Sequence, residues 1–192
     1  MKVSSISRRS KETSVTVKVK LLGTGRSSVR TGVAFLDHVL DSLSTHSLVD
    51  IWVRARGDLQ HHVVEDVALS LGKAMSKALG DRSGIRRFGY AIVPMDDALA
   101  LAAVDLVRRP YSVVELGIER PMLEDAARED LEHFFGSVAT AMEVTLHIKV
   151  LRGRNDHHKF EAATKAFALS LRDALRPDSE REGRLPSSKG LM

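Results

Sequence analysis

The 192-residue chain contains no cysteine. Disulfides and thiolate ligands are therefore excluded, and any metal must be held by nitrogen and oxygen. Aromatic residues make up 5% of the chain, too few to supply the stacking platforms of a nucleic-acid groove. No apolar run approaches the roughly 18 residues of a membrane span, and Met1 to Ser10 lacks the apolar stretch of a secretory signal. The expectation is a cytoplasmic location with no membrane partner. An excess of one charge sign is also weak: 29 Lys and Arg oppose 25 Asp and Glu, a net charge of +4. The isoelectric point near 9.5 raises the question of RNA, but the basic residues are scattered rather than clustered. That distribution suits a small phosphorylated substrate, and no nucleic-acid partner is expected.

What is present is a full complement of core material, 43% hydrophobic against 28% charged, enough for one domain or two small halves sharing a core. One pattern occurs twice. Phe35-Leu36-Asp37-His38 is followed by His61-His62-Val63-Val64-Glu65, and Leu131-Glu132-His133 by His157-His158-Lys159-Phe160-Glu161. Self-similarity at an offset of about 95 residues implies an internal duplication. Six of the eight histidines fall at matched positions, leaving His46 and His147 over.

Thr13 to Leu22 alternates at the period of a half-buried strand, and Ser27 to Thr31 reads as a second strand after the Gly23-Thr24-Gly25 turn, together a hairpin. Helical spacing of Phe35, Leu36, Val39, Leu40 and Leu43 places His38 on a helix. Leu48 to Arg56 returns to strand, and Glu65 to Ala78 is a helix ended by Gly80. The scheme recurs as strands at Phe88 to Pro94, Leu99 to Val107 and Tyr111 to Leu116, a helix over Glu124 to Met142, a strand over Val144 to Leu151 and a helix over His158 to Leu175. The fold class expected is α+β, two half-domains of mostly antiparallel sheet with two helices on one face, packed helix to helix. The boundaries expected are 1–86, 87–176 and a C-terminal tail at 177–192.

On a helix, residues four apart share a face whereas neighbours diverge by about 100°. His61 with Glu65, and His157 with Glu161, can therefore chelate one ion each, while His62 and His158 look elsewhere. A lone His-His pair is by default a surface feature; two pairs with matched glutamates and matched upstream histidines are a metal constellation. Eight ligands result, His38, His61, His62, Glu65, His133, His157, His158 and Glu161, about four for each of two ions. An octahedral ion so held keeps positions open, as catalysis requires. Imidazole and carboxylate suit Mn, Fe, Zn, Co or Ni.

Motifs spanning nearly the whole chain carry a resemblance. Besides those above, they are Gly84-Ile85-Arg86-Arg87-Phe88-Gly89, Pro94-Met95-Asp96-Asp97-Ala98-Leu99, Arg109-Pro110-Tyr111, Asn155-Asp156 before the second pair, Lys165-Ala166-Phe167 and Ser187-Ser188-Lys189-Gly190. In this order they resemble the imidazoleglycerol-phosphate dehydratase family.

The resemblance implies a lyase of histidine biosynthesis that converts imidazole-glycerol phosphate to imidazole-acetol phosphate and water. It also implies half-domains like the second domain of ribosomal protein S5, two Mn²⁺ per active site, a 24-subunit cage of trimers, and active sites between subunits. By the same resemblance Glu12 is a catalytic, substrate-contacting glutamate and His46 lies near the substrate hydroxyls. Arg87, Arg109, Lys165, Ser187, Ser188 and Lys189 bind phosphate, a role that guanidinium, ammonium and hydroxyl groups suit. The carbon-bound proton that must leave is not acidic. Two cations on the ring nitrogens would stabilise an imidazolate and a diazafulvene-like intermediate. Glu161 or Glu65 is placed to take the proton, and Glu12 to return one.

One departure stands out. The family usually has an acidic pair in the loop before its first His-His, but Gly57-Asp58-Leu59-Gln60 runs straight into His61, three residues shorter. The expectation is that the carboxylates orienting these imidazoles are missing and that metal binding is weaker. Two rival readings follow from the same residues. One is another dinuclear-metal lyase or hydrolase on the same duplicated scaffold; the other is an RNA-associated protein whose binding is steeply salt dependent.

Overall fold

Val15, Val17 and Val19 alternate with Thr16 and Lys18. In the computed structural model, which describes residues 3–180, 183–188 and 190, this segment is a strand whose three valines are buried. The chain runs β1 (Val3–Arg9), β2 (Thr13–Lys20), β3 (Ser27–Arg30), α1 (Ala34–Ser47), β4 (Asp50–Gly57) and α2 (Gln60–Leu79). It continues as β5 (Phe88–Met95), β6 (Ala98–Asp105), β7 (Tyr111–Glu115), β8 (Met122–Leu123), β9 (Ala126–Ala127), α3 (Arg128–Met142), β10 (Thr145–Arg152) and α4 (Asp156–Ala174).

The two four-stranded sheets have the same order, β1-β2-β4-β3 and β5-β6-β10-β7. In each, only the edge pair β3 with β4, or β7 with β10, is parallel. The chain is thus an α+β fold of two like halves. Helix α2 covers β1 and β2, α4 covers β5 and β6, and the halves meet helix on helix, α1 on α4 and α2 on α3. Contact is close at Gly72 of α2, where a Cβ would lie 2.5 Å from the Val138 carbonyl oxygen of α3. Phe160 centres the join, its ring 5.5 Å from Phe35 and 5.2 Å from Phe135.

Three expectations about local structure fail. The hairpin is not formed by the segments at 13–22 and 27–31: β2 pairs with β1, and β3 lies parallel beyond β4. Strand β1 carries little apolar signal because it is an edge strand, and its one buried residue is Ser4, whose hydroxyl donates to the Ala74 carbonyl at 2.5 Å. Helix α2 starts at Gln60, earlier than expected. Helix α3 starts only at Arg128, because 122–127 form the β8-β9 hairpin with Glu124 at φ 51°. That hairpin carries Asp125, whose carboxylate accepts the Ala34 and Phe35 amides at 2.6 and 2.9 Å. It caps α1, whose own N-cap residue Val33 has no capping side chain.

Candidate active site

The α1-on-α4 contact brings His38 to His157 and Glu161. Asn155 caps α4 by accepting the His157 amide at 2.9 Å, so the helix begins at the His-His pair and Glu161 falls one turn below His157. Glu161 Oε2 is 3.5 Å from His157 Nε2 and 3.9 Å from His38 Nε2. One ligand atom from each of the three lies within 4.8 Å of the others. This nitrogen and oxygen set fits a divalent transition metal, and it draws on both halves.

The duplication repeats the arrangement with the halves exchanged. His61 and Glu65 of α2 and His133 of α3 line one cavity of about 230 Å³ with Val64, Asp130, Phe134 and Ser137. Among the described residues only the first set closes to within 4.8 Å. The remaining two histidines diverge from their neighbours: the His61 and His62 rings are inclined at 61°, and the His157 and His158 rings at 86°.

The expected loss of orienting carboxylates does not occur. His62 Nδ1 lies 2.8 Å from Asp58 Oδ1, and His61 Nδ1 lies 2.5 Å from Asp130 Oδ1. Asp58 lies in the loop before α2 and Asp130 comes from α3, so His61 takes its carboxylate from the other half by tertiary contact. In the second half His157 Nδ1 is 3.0 Å from Glu124 Oε1, and His158 Nδ1 is 2.6 Å from Asp97 Oδ1. Nothing in the local spacing of Asp97, Glu124 and Asp130 ties them to the histidines, so the sequence does not mark them as site residues.

Lys165 Nζ lies 2.8 Å from Glu161 Oε1 and 3.2 Å from Met95 Sδ. Burial pushes the Glu161 carboxyl up, but Lys165, His38 and His157 outweigh it and hold it below its ordinary value. His46, in the last turn of α1, has its imidazole pKa lowered by burial and by Lys165, against an opposing pull from Glu161. Glu161, Lys165 and His46 are thus electrostatic neighbours.

Glu12 sits in the β1-β2 turn, in an open cavity with Arg9, Lys11 and Arg56. Its charge raises the pKa of His62, although the Asp58 hydrogen bond raises it most. Arg87, at φ 73°, holds Asp105 with two hydrogen bonds of 2.7 and 2.9 Å and donates a third to the Pro186 carbonyl at 2.6 Å. Two of its donors are therefore spent on a carboxylate, and the third anchors the tail. Arg109 is exposed before β7. Ser187 and Ser188 follow Pro186 in a turn in which the Gly190 amide donates to the Ser187 carbonyl at 3.2 Å. Lys189 lies outside the described residues.

Comparison with known proteins places this geometry. The family model of imidazoleglycerol-phosphate dehydratase matches residues 31–171. The chain is 50% identical to the imidazoleglycerol-phosphate dehydratase of Methanothermobacter thermautotrophicus over 195 aligned positions, covering 100% of this chain and 98% of that one. It is 47% identical to that of Chlorobium phaeovibrioides over 188 positions, 96% and 92% of the two chains. The crystal structure of imidazoleglycerol-phosphate dehydratase from Staphylococcus aureus superposes with a TM-score of 0.84 at 31% identity, over 92% of this chain and 99% of that one.

Proposed function

Because this chain belongs to the imidazoleglycerol-phosphate dehydratase family, hydro-lyases of histidine biosynthesis, we propose that its active site is built on the eight residues His38, His61, His62, Glu65, His133, His157, His158 and Glu161. The observation that carries this reading is the closure of His38, His157 and Glu161 across the two halves. We take the metal to be manganese and the number to be two. Cations held by these histidines and glutamates would supply positive charge beside the substrate imidazole as the ring takes up electron density. The rival of a different dinuclear lyase or hydrolase on this scaffold is not favoured by the comparisons.

The reaction removes a hydroxyl from one side-chain carbon and a proton from the next, releases water, and lets the resulting enol return a proton to carbon as the ketone forms. One group must therefore protonate the departing oxygen, and one must accept the carbon-bound proton. Glu12 suits a proton-transfer role because, among the described residues, its carboxylate has no hydrogen bond or ion pair. Glu161 or Glu65, beside the imidazole ligands, takes the other role. His46 is placed near the substrate hydroxyls, a position supported by its closeness to Lys165 and Glu161.

Arg109, Lys165, Ser187, Ser188 and Lys189 are proposed to hold the phosphate. Arg87 contributes by fixing Pro186, and with it the serine turn. The imidazole phosphate substrate, the segment boundaries at 86 and 176, and a cytoplasmic location belong to the same proposal; no helix among the described residues is long and apolar enough to cross a membrane.

His62 and His158 lie outside the sets formed by His61, Glu65 and His133 and by His38, His157 and Glu161, which supports a site completed by neighbouring copies. A 24-subunit cage of trimers is the assembly proposed. Phe88, Tyr90 and Ile92, exposed to 57, 77 and 57% on the outer face of the second sheet, supply apolar surface for such contacts.

The test is turnover of imidazole-glycerol phosphate by metal-stripped protein with and without Mn²⁺, followed by the absorbance of the enolised product in base. Activity restored by the ion is the expected result. No activity with any divalent ion would overturn the reading.

A further inference from the structure

All four histidines of the two pairs contact a carboxylate through the same ring nitrogen, Nδ1, at 2.5 to 3.0 Å; His158 also has an aspartate, Asp96, 3.5 Å from its Nε2. Their partners come from four unrelated places. Asp58 lies in the turn before α2, Asp97 in the β5-β6 turn, Glu124 in the β8-β9 turn and Asp130 in the first turn of α3. No single local motif repeated by duplication produces such a pattern. His38 and His133, the single histidines on α1 and α3, show no such contact among the described residues.

We propose that Asp58, Asp97, Glu124 and Asp130 are positioning residues that keep the ring proton of His62, His158, His157 and His61 on Nδ1, so that every Nε2 lone pair is presented for metal. The inference rests on the metal assignment above and deepens it. An ionised carboxylate only accepts, so the imidazole must donate from the nitrogen facing it, and in the neutral ring, the form that binds metal, the opposite nitrogen is then the unprotonated one. The same contact fixes the ring plane and makes the ligand more basic.

Asp97 shows the device most clearly. Its second oxygen accepts the Arg154 and Asn155 amides at 2.5 and 3.1 Å, so the carboxylate is held between the loop before α4 and the imidazole it orients. Asp97 immediately precedes β6, as Glu12 immediately precedes β2. The duplication therefore places a carboxylate at one corner of each half. In the second half it is committed to His158; in the first, Asp58 holds His62 and leaves Glu12 free.

The test uses full-length protein, metal-stripped and labelled with ¹⁵N-histidine, in magic-angle-spinning spectra that distinguish the Nδ1–H from the Nε2–H form. It is paired with Mn²⁺ affinity by competition against a chelating dye. In Asp97→Asn, the side-chain carbonyl keeps the two backbone amides and the NH₂ turns to His158 Nδ1. That donor drives the ring proton to Nε2. Glu124→Gln, on the exposed β8-β9 turn, makes the same change at His157.

The expected result is one histidine changing tautomer in each variant and Mn²⁺ affinity falling about 10- to 100-fold, with Glu124→Asp keeping the Nδ1–H form. Unchanged tautomers and unchanged affinity in both variants would overturn the inference. Wild-type protein that binds no Mn²⁺ would instead refute the metal assignment, while the tautomers of the metal-free protein would still decide whether the carboxylates set the proton.

Discussion

Glu161 divides its two oxygens between opposite tasks: Oε1 is paired with Lys165 Nζ at 2.8 Å, and Oε2 faces His157 and His38 at 3.5 and 3.9 Å. The lysine keeps the carboxylate charged in a site whose burial opposes charge. Lys165→Met removes that support and leaves the burial, so the carboxyl pKa rises. Protons then compete better with metal. The ratio of wild-type to variant Mn²⁺ affinity should widen as pH falls from 8 to 5, read by dye competition; a ratio independent of pH would refute the coupling.

Arg82 is fully buried, and its guanidinium donates to the carbonyls of Leu106, Glu143 and Met142 at 2.9, 2.8 and 2.7 Å. It closes the C-terminal end of α3 from the segment that follows α2, tying one half to the other. Arg82→Leu would leave these carbonyls without donors, each costing about 1–3 kcal/mol when buried. A loss of roughly 3 kcal/mol or more is expected from the denaturant midpoint of the metal-free protein. A loss under about 1 kcal/mol would show that water reaches the carbonyls.

Asp50 accepts the Thr24 and Arg26 amides at 2.7 and 3.0 Å. Burial pushes its carboxyl up, yet the two amides, the Thr24 hydroxyl and Lys20 together hold it below its ordinary value. A carboxylate depressed in the folded state adds stability that is complete above its unfolded pKa of about 4 and lost as pH falls through the folded value. Asp50→Asn should therefore cost about 1–2 kcal/mol at pH 7. The gap in melting temperature from wild type should close below pH 4, and a gap that persists at pH 2 would contradict the sign.

Much of this protein can be read without coordinates, because duplication and periodicity are properties of the chain itself. The valines of β2 declare a strand, the spacing of Phe35, Leu36, Val39 and Leu40 declares a helix, and a glutamate four residues after each His-His start fixes a shared helical face. The candidate metal cluster is legible for the same reason: its histidine and glutamate pairs lie within one turn of one helix. Strand β1 is not legible, since an edge strand with Ser4 inward has no apolar alternation to show. Nor is the β8-β9 hairpin, where Glu124 and Asp125 resemble the acidic first turn of a helix and instead serve His157 and the start of α1.

The sequence by itself determined most of the element types, the two like halves and the paired histidines and glutamates, all of which follow from short-range spacing. Only the tertiary structure decided the partners: that His38 joins the second half's His157 and Glu161, that Asp130 of α3 meets His61, and that the tail is held by Arg87. These pairings join residues that the chain keeps far apart, and helix-on-helix packing of the two halves, rather than any local spacing, brings them within reach.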